Sequence, residues 1–353
     1  VRLEMAGEVS LNWASDKPLI DAHGWQHESG LHVTKAVWCN GAFAFALGDG
    51  KVQFADQNGM KQAFKVHDNA ILAAAPLDGA IVTCSDDGKV ASTTPEGKIT
   101  HLIDAPGRFF DQLATASWGG VAVADGRRIY IRLPDGSMRE YKATGSVGGL
   151  AFSPKGRKLA ASRNNGVSVY WVGTEREAPD TYEWQGAHGP VTWNARGDFI
   201  VTAMHENALH VWRTDNEKHG RMGGYPSRIK SLSWDQNGIN LATSGADGVV
   251  IWPFSSKSGP IGQGAEQIPL KTDEIVATLA WHPSRNVIAV GTDHANLLLV
   301  RRDGAILPLA RDLESVVTTL EWAEKGSALA FGCDSGRFGL IDFSNLVYCA
   351  SRT

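Results

Sequence analysis

The sequence predicts an all-β chain assembled from one repeated antiparallel unit, and three observations predict it. Short runs of alternating apolar and polar residues are separated by Gly- or Asn-bearing turns, the period-two pattern of half-buried strands. The same run-and-turn pattern returns along most of the chain, with turn residues spaced 38 to 47 positions apart. No stretch sustains a 3.6-residue apolar period, so helix is at most a minor component. The composition agrees: of 353 residues 39 are Gly and 12 are Trp, 43% are apolar and 20% charged, which supplies turns, bulky gap-fillers and a substantial core.

The unit is clearest at its second strand and the tight turn that follows. It reads AFAFALGDG (42–50), AIVTCSDDG (80–88), GVAVADG (120–126), KLAASRNNG (158–166), FIVTAMHEN (199–207), NLATSGADG (240–248), VIAVGTDHA (287–295) and ALAFGCDSG (328–336). The turn position favours Gly or Asn because a short hairpin matched to strand twist needs positive φ. Ala295 breaks that pattern, and its unit follows the Ser/Gly-rich stretch SSKSGPIGQG (255–264), which reads as an extended surface loop. First strands such as PVTWNA (190–195) and TTLEWAE (318–324) end in an aromatic placed to pack between neighbouring sheets. Third strands run from KVQFAD (51–56) to FGLIDF (338–343), and the outermost strands, such as MREYKA and TYEWQG, are weaker.

Four short antiparallel strands cannot bury both faces of their own sheet. Stacking the sheets radially about an axis does so and leaves only short edges. The fold expected is therefore an eight-bladed β-propeller with four-stranded blades, seven blades being the alternative. It occupies residues 17–344, between an N-terminal extension (1–16, the residues before Met5 read as an expression remnant) and a C-terminal tail (345–353). The last unit ends near Ser344 and needs an outer strand from elsewhere. PLIDAH (18–23) is the expected donor, with His23 in the following loop, and EVSLNW (8–13) the second choice; the tail LVYCASRT competes for the same edge.

In its details the repeat resembles the WD40 family. Trp171, Trp212 and Trp252 end third strands as the Trp of the WD dipeptide does, although Val172, Arg213 and Pro253 replace its Asp. His67 and His188 sit where that family's Gly-His pair precedes the first strand, and Asp87 and Asp247 occupy its turn Asp position. The resemblance implies a buried hydrogen-bond chain of His, Ser or Thr, Asp and Trp, which no single blade holds in full. Blade two has His67, Thr83 or Ser85 and Asp87 without the Trp; blade six has Ser244, Asp247 and Trp252 without the His.

The formal charge of -4 gives no global field for nucleic acid or an anionic membrane, and no apolar run is long enough for a membrane-spanning helix. Cys39, Cys84, Cys333 and Cys349 are scattered without a C-x-x-C pair, which excludes a zinc knuckle and fits a reducing, cytoplasmic setting. His23, His27, Glu28 and His32 crowd together as a metal cluster would. The H-E-x-x-x-H spacing at 27–32 and 205–210 nevertheless misses the helical H-E-x-x-H frame, so no metal or cofactor is assigned. No nucleophile or phosphate-loop motif is present.

Function is therefore expected on the loops. In a propeller the d–a loops and b–c turns share one rim, free to vary over stacked sheets. Candidate contacts there are Phe109, Phe110, Met204, His205, Tyr225 and Arg228, with Asp68, Asp111, Asp273 and Glu274 as acidic counterparts. Between Arg127 and Arg176 ten basic residues face three acidic ones, so blades three and four form a basic sector that includes Arg127, Arg128 and Arg163. The reading is a non-catalytic interaction scaffold for a protein or peptide partner, the basic sector suiting an acidic one. The alternative is a metal-dependent protein or enzyme using the central channel or the N-terminal histidines.

Overall fold

The computed structural model describes residues 9–176, 178–216, 218–270 and 272–348. Among these residues the regular elements are β-strands, apart from the four-residue helical turn Ile20–His23. Hydrogen bonding gathers the strands into seven sheets of four or more strands and one two-stranded pair. Six of the seven are four-stranded. The seventh has six strands, of which two are fourteen residues long and each serve twice. Lys158–Trp171 folds back at Asn165 (φ 63°) and Gly166 (φ 133°), with Val172 N donating to Arg157 O at 2.9 Å across the hairpin. Asp180–Trp193 pairs its first half with 166–169 and its second with Phe199–Met204.

The seven sheets therefore supply eight radial units, each with strands a to d from the axis outward: blades 1 to 7 span 33–65, 71–104, 112–142, 147–183, 188–222, 232–269 and 276–310. Blade 8 is Val317–Trp322, Ala328–Cys333 and Arg337–Asp342 with Gly24–Glu28 as its outer strand. Burial gives the same count. Among the described residues there are eight apolar clusters, one at each seam between neighbouring blades. Alternation along a strand feeds two seams at once: Ile81 packs toward blade 1 and its neighbour Val82 toward blade 3.

The inner edges of the blades are closed by side chains of the next. Thr34 Oγ1 donates to Ile71 O at 2.8 Å, Thr115 Oγ1 to Pro76 O at 2.7 Å, and Thr318 Oγ1 to Val33 O at 2.7 Å. The aromatics at the ends of strands a do pack between sheets, and their indoles also clasp the neighbour: Trp193 Nε1 donates to Ala151 O at 3.0 Å and Trp322 Nε1 to Ala280 O at 3.1 Å. Backbone groups that an open edge would leave unpaired are thereby satisfied.

Ring closure differs from expectation. PLIDAH does not form the closing strand: Ile20–His23 makes a helical turn with Ile20 buried, and Gly24–Glu28 pairs antiparallel with Arg337–Asp342. Trp25 decides this register, since its indole reaches blade 1 and donates to Asp56 O at 3.0 Å. The loop after the closing strand holds His32 rather than His23, and Arg337 bonds both Glu28 (3.2 Å) and Glu314 (2.7 Å) across the joint. Val9–Ser10 pairs in parallel with Leu346–Val347, so the N-terminal segment and the tail meet each other instead of competing for blade 8. Residues 1–8 and 349–353, including Cys349, lie outside the described residues.

Two turn expectations are also corrected. The stretch 255–264 is not a free loop: Pro260 is buried, and Arg213 and Arg196 of blade 5 bond Lys257 O (2.7 Å) and Ser256 O (3.4 Å). In blade 6 the positive φ falls on Gly245 (93°). Gly248 is required by close approach instead, because a Cβ there would lie 2.4 Å from Ile268 O. Ala295, by contrast, adopts φ 61° in an otherwise regular blade. A left-handed alanine costs about 1–2 kcal/mol, so Ala295→Gly is expected to raise unfolding stability by about 1 kcal/mol in urea titrations. An unchanged midpoint would contradict that strain.

Candidate interaction rim

Antiparallel blades put every d–a loop and b–c turn at one end of the ring, the upper rim, and every a–b and c–d turn at the other. Three buried polar posts anchor upper loops to the sheets. In blade 2, His67 Nδ1 lies 3.2 Å from both Asp87 carboxylate oxygens and Nε2 lies 2.8 Å from Thr83 Oγ1. The carboxylate only accepts, so Nδ1 carries the proton and Nε2 accepts from Thr83. Asp87 also accepts from the backbone amides of Asp68 (3.1 Å) and Lys89 (2.9 Å), which pins the loop and the turn together. Desolvation holds the His67 pKa below its ordinary value, against the pull of Asp87, so the ring is neutral.

Blade 5 uses the opposite tautomer. His188 Nε2 donates to Trp184 O at 3.0 Å, and Nδ1 accepts from Thr202 at 2.7 Å. Trp212 is buried beside the ring, and its indole N–H has no partner. In blade 6 a tyrosine stands in for the histidine. Trp252 Nε1 donates to Tyr225 OH at 2.7 Å, Tyr225 OH lies 2.7 Å from Thr243 Oγ1, and Thr243 passes the chain to Val250 O at 3.3 Å. Burial pushes the Tyr225 phenol up to about 12. Sequence reasoning missed this post, although the tyrosine ahead of a b-strand threonine was a usable signal.

Several expected rim residues are corrected by these placements. Phe110, Met204 and Tyr225 are buried, at 0%, 2% and 8% exposure: Phe110 fills the seam of blades 2 and 3, and Tyr225 that of blades 5 and 6. Arg163 is buried too, bracing blade 4 through Ser168 (2.9 Å) and Glu183 (2.5 Å). Among the WD40-like positions, Trp171 lies on the opposite sheet face from buried Tyr170, donates to Asp180 at 3.0 Å and sits under Lys158. Asp247 is exposed, and its backbone carbonyl, not its carboxylate, bonds Leu270 N; Thr243 rather than Ser244 joins the blade-6 chain.

Other candidates do face solvent on the rim. Phe109 is 51% exposed on the loop between blades 2 and 3, with exposed Arg127 and Arg128 on the b–c turn of blade 3. Arg108, which sequence reasoning passed over, joins loop to turn through Asp125 at 3.4 Å. His205 and Arg228 bond each other across blades 5 and 6. Asp273 is exposed, while Glu274 is half-buried and accepts from Asn296 at 3.1 Å. The N-terminal histidines do not converge: His27 packs edge-on to Phe338, Glu28 binds Arg337, and His32 binds Asp334 at 2.7 Å. Among the described residues no three His, Cys, Asp or Glu side chains come together as a metal site.

The basic sector divides between the two ends. Arg127, Arg128 and Lys142 belong to the upper rim of blade 3, whereas Arg132, Arg139, Lys155, Arg157 and Arg176 belong to the lower end of blades 3 and 4. Acidic residues gather on the far side of the upper rim: Asp273, Asp293, Asp312, Glu314 and Asp334 lie on the loops and turns of blades 7 and 8. Blades 3 and 7 are diametrically opposed in a ring of eight, and each group includes opposite charges: Asp111 and Asp125 near Arg127, Arg311 and Arg337 among the acidic loops.

The geometry defines the class, a β-propeller that displays loops on a rigid ring, and comparison with known proteins narrows it. The family model for the WD domain, G-beta repeat, matches residues 217–252, and that for the anaphase-promoting complex subunit 4 WD40 domain matches 279–351. The WD repeat-containing protein slp1 of Schizosaccharomyces pombe is 27% identical over 57% of this chain and 41% of its own length. The mouse WD repeat and HMG-box DNA-binding protein 1 is 27% identical over 54% of this chain and 18% of its own. Anaphase-promoting complex subunit cdc20 of Dictyostelium discoideum is 23% identical over 58% and 42%. The chain thus matches less than half the length of each of these relatives. The crystal structure of the computationally designed Ika8 protein superimposes with a TM-score of 0.73 over 90% of this chain and 98% of that one, at 16% identity, a likeness of fold alone. Family models and relatives alike support a WD40 repeat family protein.

Proposed function

We propose that this protein is a non-catalytic interaction scaffold that holds a protein partner across its upper rim, seating an acidic segment on blade 3. The observation that carries this reading is Phe109, an exposed aromatic on the loop that Arg108 ties, through Asp125, to the blade-3 turn bearing exposed Arg127 and Arg128. An aromatic with adjacent arginines is the composition of interface hot spots. The acidic loops of blades 7 and 8 give a partner a fixed orientation by repelling its acidic end and attracting a basic one. The relatives named for slp1 and cdc20 support a role in protein assembly, and the buried thiols of Cys39, Cys84 and Cys333 agree with a cytoplasmic setting.

The test is affinity purification from the native host, comparing the wild-type chain with a variant carrying Phe109→Ala, Arg127→Glu and Arg128→Glu. All three side chains are exposed, so the ring should fold normally. Recovery of the principal partner is expected to drop at least about tenfold, which corresponds to roughly 1.4 kcal/mol. Equal recovery from both proteins would remove blade 3 from the interface.

A further inference from the structure

We propose a second docking site on the opposite end of the ring: the lower mouth of the seam between blades 3 and 4 takes one apolar side chain of an extended acidic peptide from a partner. A cavity of about 330 Å³ opens there, lined by Trp118, Leu133, Val172, Lys155 and Arg157 with the backbone of Gly156 and Gly173. Its volume suits one or two side chains and is small for a whole cofactor.

The floor is apolar and held in place. The Trp118 indole N–H donates to Gly156 O at 3.1 Å, and its ring meets Phe152 edge-on at 5.7 Å. Val172 is 8% exposed and belongs to the same seam cluster, against which Trp118 and Leu133 pack. The lip is positive. Lys155 and Arg157 are both exposed on the a–b turn of blade 4.

The surrounding cations are already engaged, which singles out these two. Arg176 pairs with Asp180 at 2.5 Å, Lys158 lies over the Trp171 ring at 4.2 Å, and Arg139 bonds Thr174 O. No ion pair or hydrogen bond from the side chain of Lys155 or Arg157 is found among the described residues. A preformed apolar floor beside two uncommitted cations fits a carboxylate-bearing segment with a leucine- or phenylalanine-sized side chain. An apolar pocket of this size has no use for a phosphodiester chain, which such a basic patch would otherwise attract.

This site is separate from the upper rim, so the two proposals fail independently. The experiment selects a random dodecapeptide display library on the intact protein, then measures the enriched peptides by fluorescence anisotropy. Wild type, a Lys155→Glu/Arg157→Glu variant and an Arg127→Glu/Arg128→Glu variant are compared, with circular dichroism confirming that each is folded. Expected are acidic peptides bearing one conserved large apolar residue, weakened at least tenfold by the lower-end variant and unaffected by the upper one. Enriched peptides insensitive to the lower-end variant would overturn the proposal. So would a selection that yields no acidic peptides, or binding of a poly-dT oligonucleotide that the lower-end variant abolishes while acidic peptides show none.

Discussion

Replacing His67 with alanine is expected to destabilise the ring by about 3 kcal/mol, among the larger effects available to a single substitution outside the apolar seams. The side chain is 1% exposed and is the buried link between loop and turn, beside the bond from the Asp68 amide to Asp87 and the exposed Lys89–Asp68 pair. Its loss strands Asp87, whose side chain is nearly buried, with one fewer donor, and leaves Thr83 without the acceptor at 2.8 Å. Unsatisfied buried groups cost about 1–3 kcal/mol each, more when charged. Urea titration measures the loss, and a conservative arm separates the bond from the volume. Asparagine, whose amide can donate to Asp87, should recover part of the stability, whereas leucine should not. Equal stability for His67→Leu and wild type would mean that the post is packing and not hydrogen bonding. Amide exchange in the loop 66–70 should rise in His67→Ala before the seams loosen, since the post ties that loop to the turn at Asp87.

Much of the architecture was legible because the repeat is a consequence of burial. Each blade needs neighbours on both faces, so alternating strands and tight turns had to recur with nearly constant spacing, and one family likeness was enough to name the closure problem. The errors share a different cause. Strand alternation fixes which of two adjacent residues faces the seam, but not which seam or edge it meets. Trp171 therefore looked like a buried partner while Tyr170 took the inward place. Phe110 and Tyr225 looked like rim contacts because they lie in loops, yet these loops dip into the seams. The closing strand was misplaced by a few residues because its register depends on Trp25 reaching Asp56 O, thirty-one residues away. Charge was the least legible property. The basic sector is continuous in sequence, but antiparallel strands deliver its residues alternately to opposite ends of the ring.

Acidification should weaken this protein steeply between about pH 6.5 and pH 4, before most carboxylates titrate. His210 is fully buried, stacked on Trp184 at 4.3 Å, and its pKa is lowered to about 3 by desolvation and by the neighbouring His219, His188 and Arg221. His282 is 2% exposed, and its pKa is lowered to about 4 by desolvation with a smaller contribution from Arg285. Ser284 N donates to His282 Nδ1 at 3.1 Å, so a proton arriving there would break that bond. His67 and His188 are shifted in the same direction. The unfolded imidazoles take up protons near pH 6.5 while the folded ones do not, so the unfolded state binds more protons throughout this window and stability falls as pH falls. Each strongly shifted histidine contributes about 1.4 kcal/mol per pH unit. For His210 and His282 together that is about 4 kcal/mol between pH 7 and pH 5. Urea titrations at several pH values measure it, and a His210→Phe variant, which keeps a ring between Trp184 and Trp212, should lose about 2 kcal/mol of that dependence. A slope unchanged in that variant would place the acid sensitivity elsewhere in the ring.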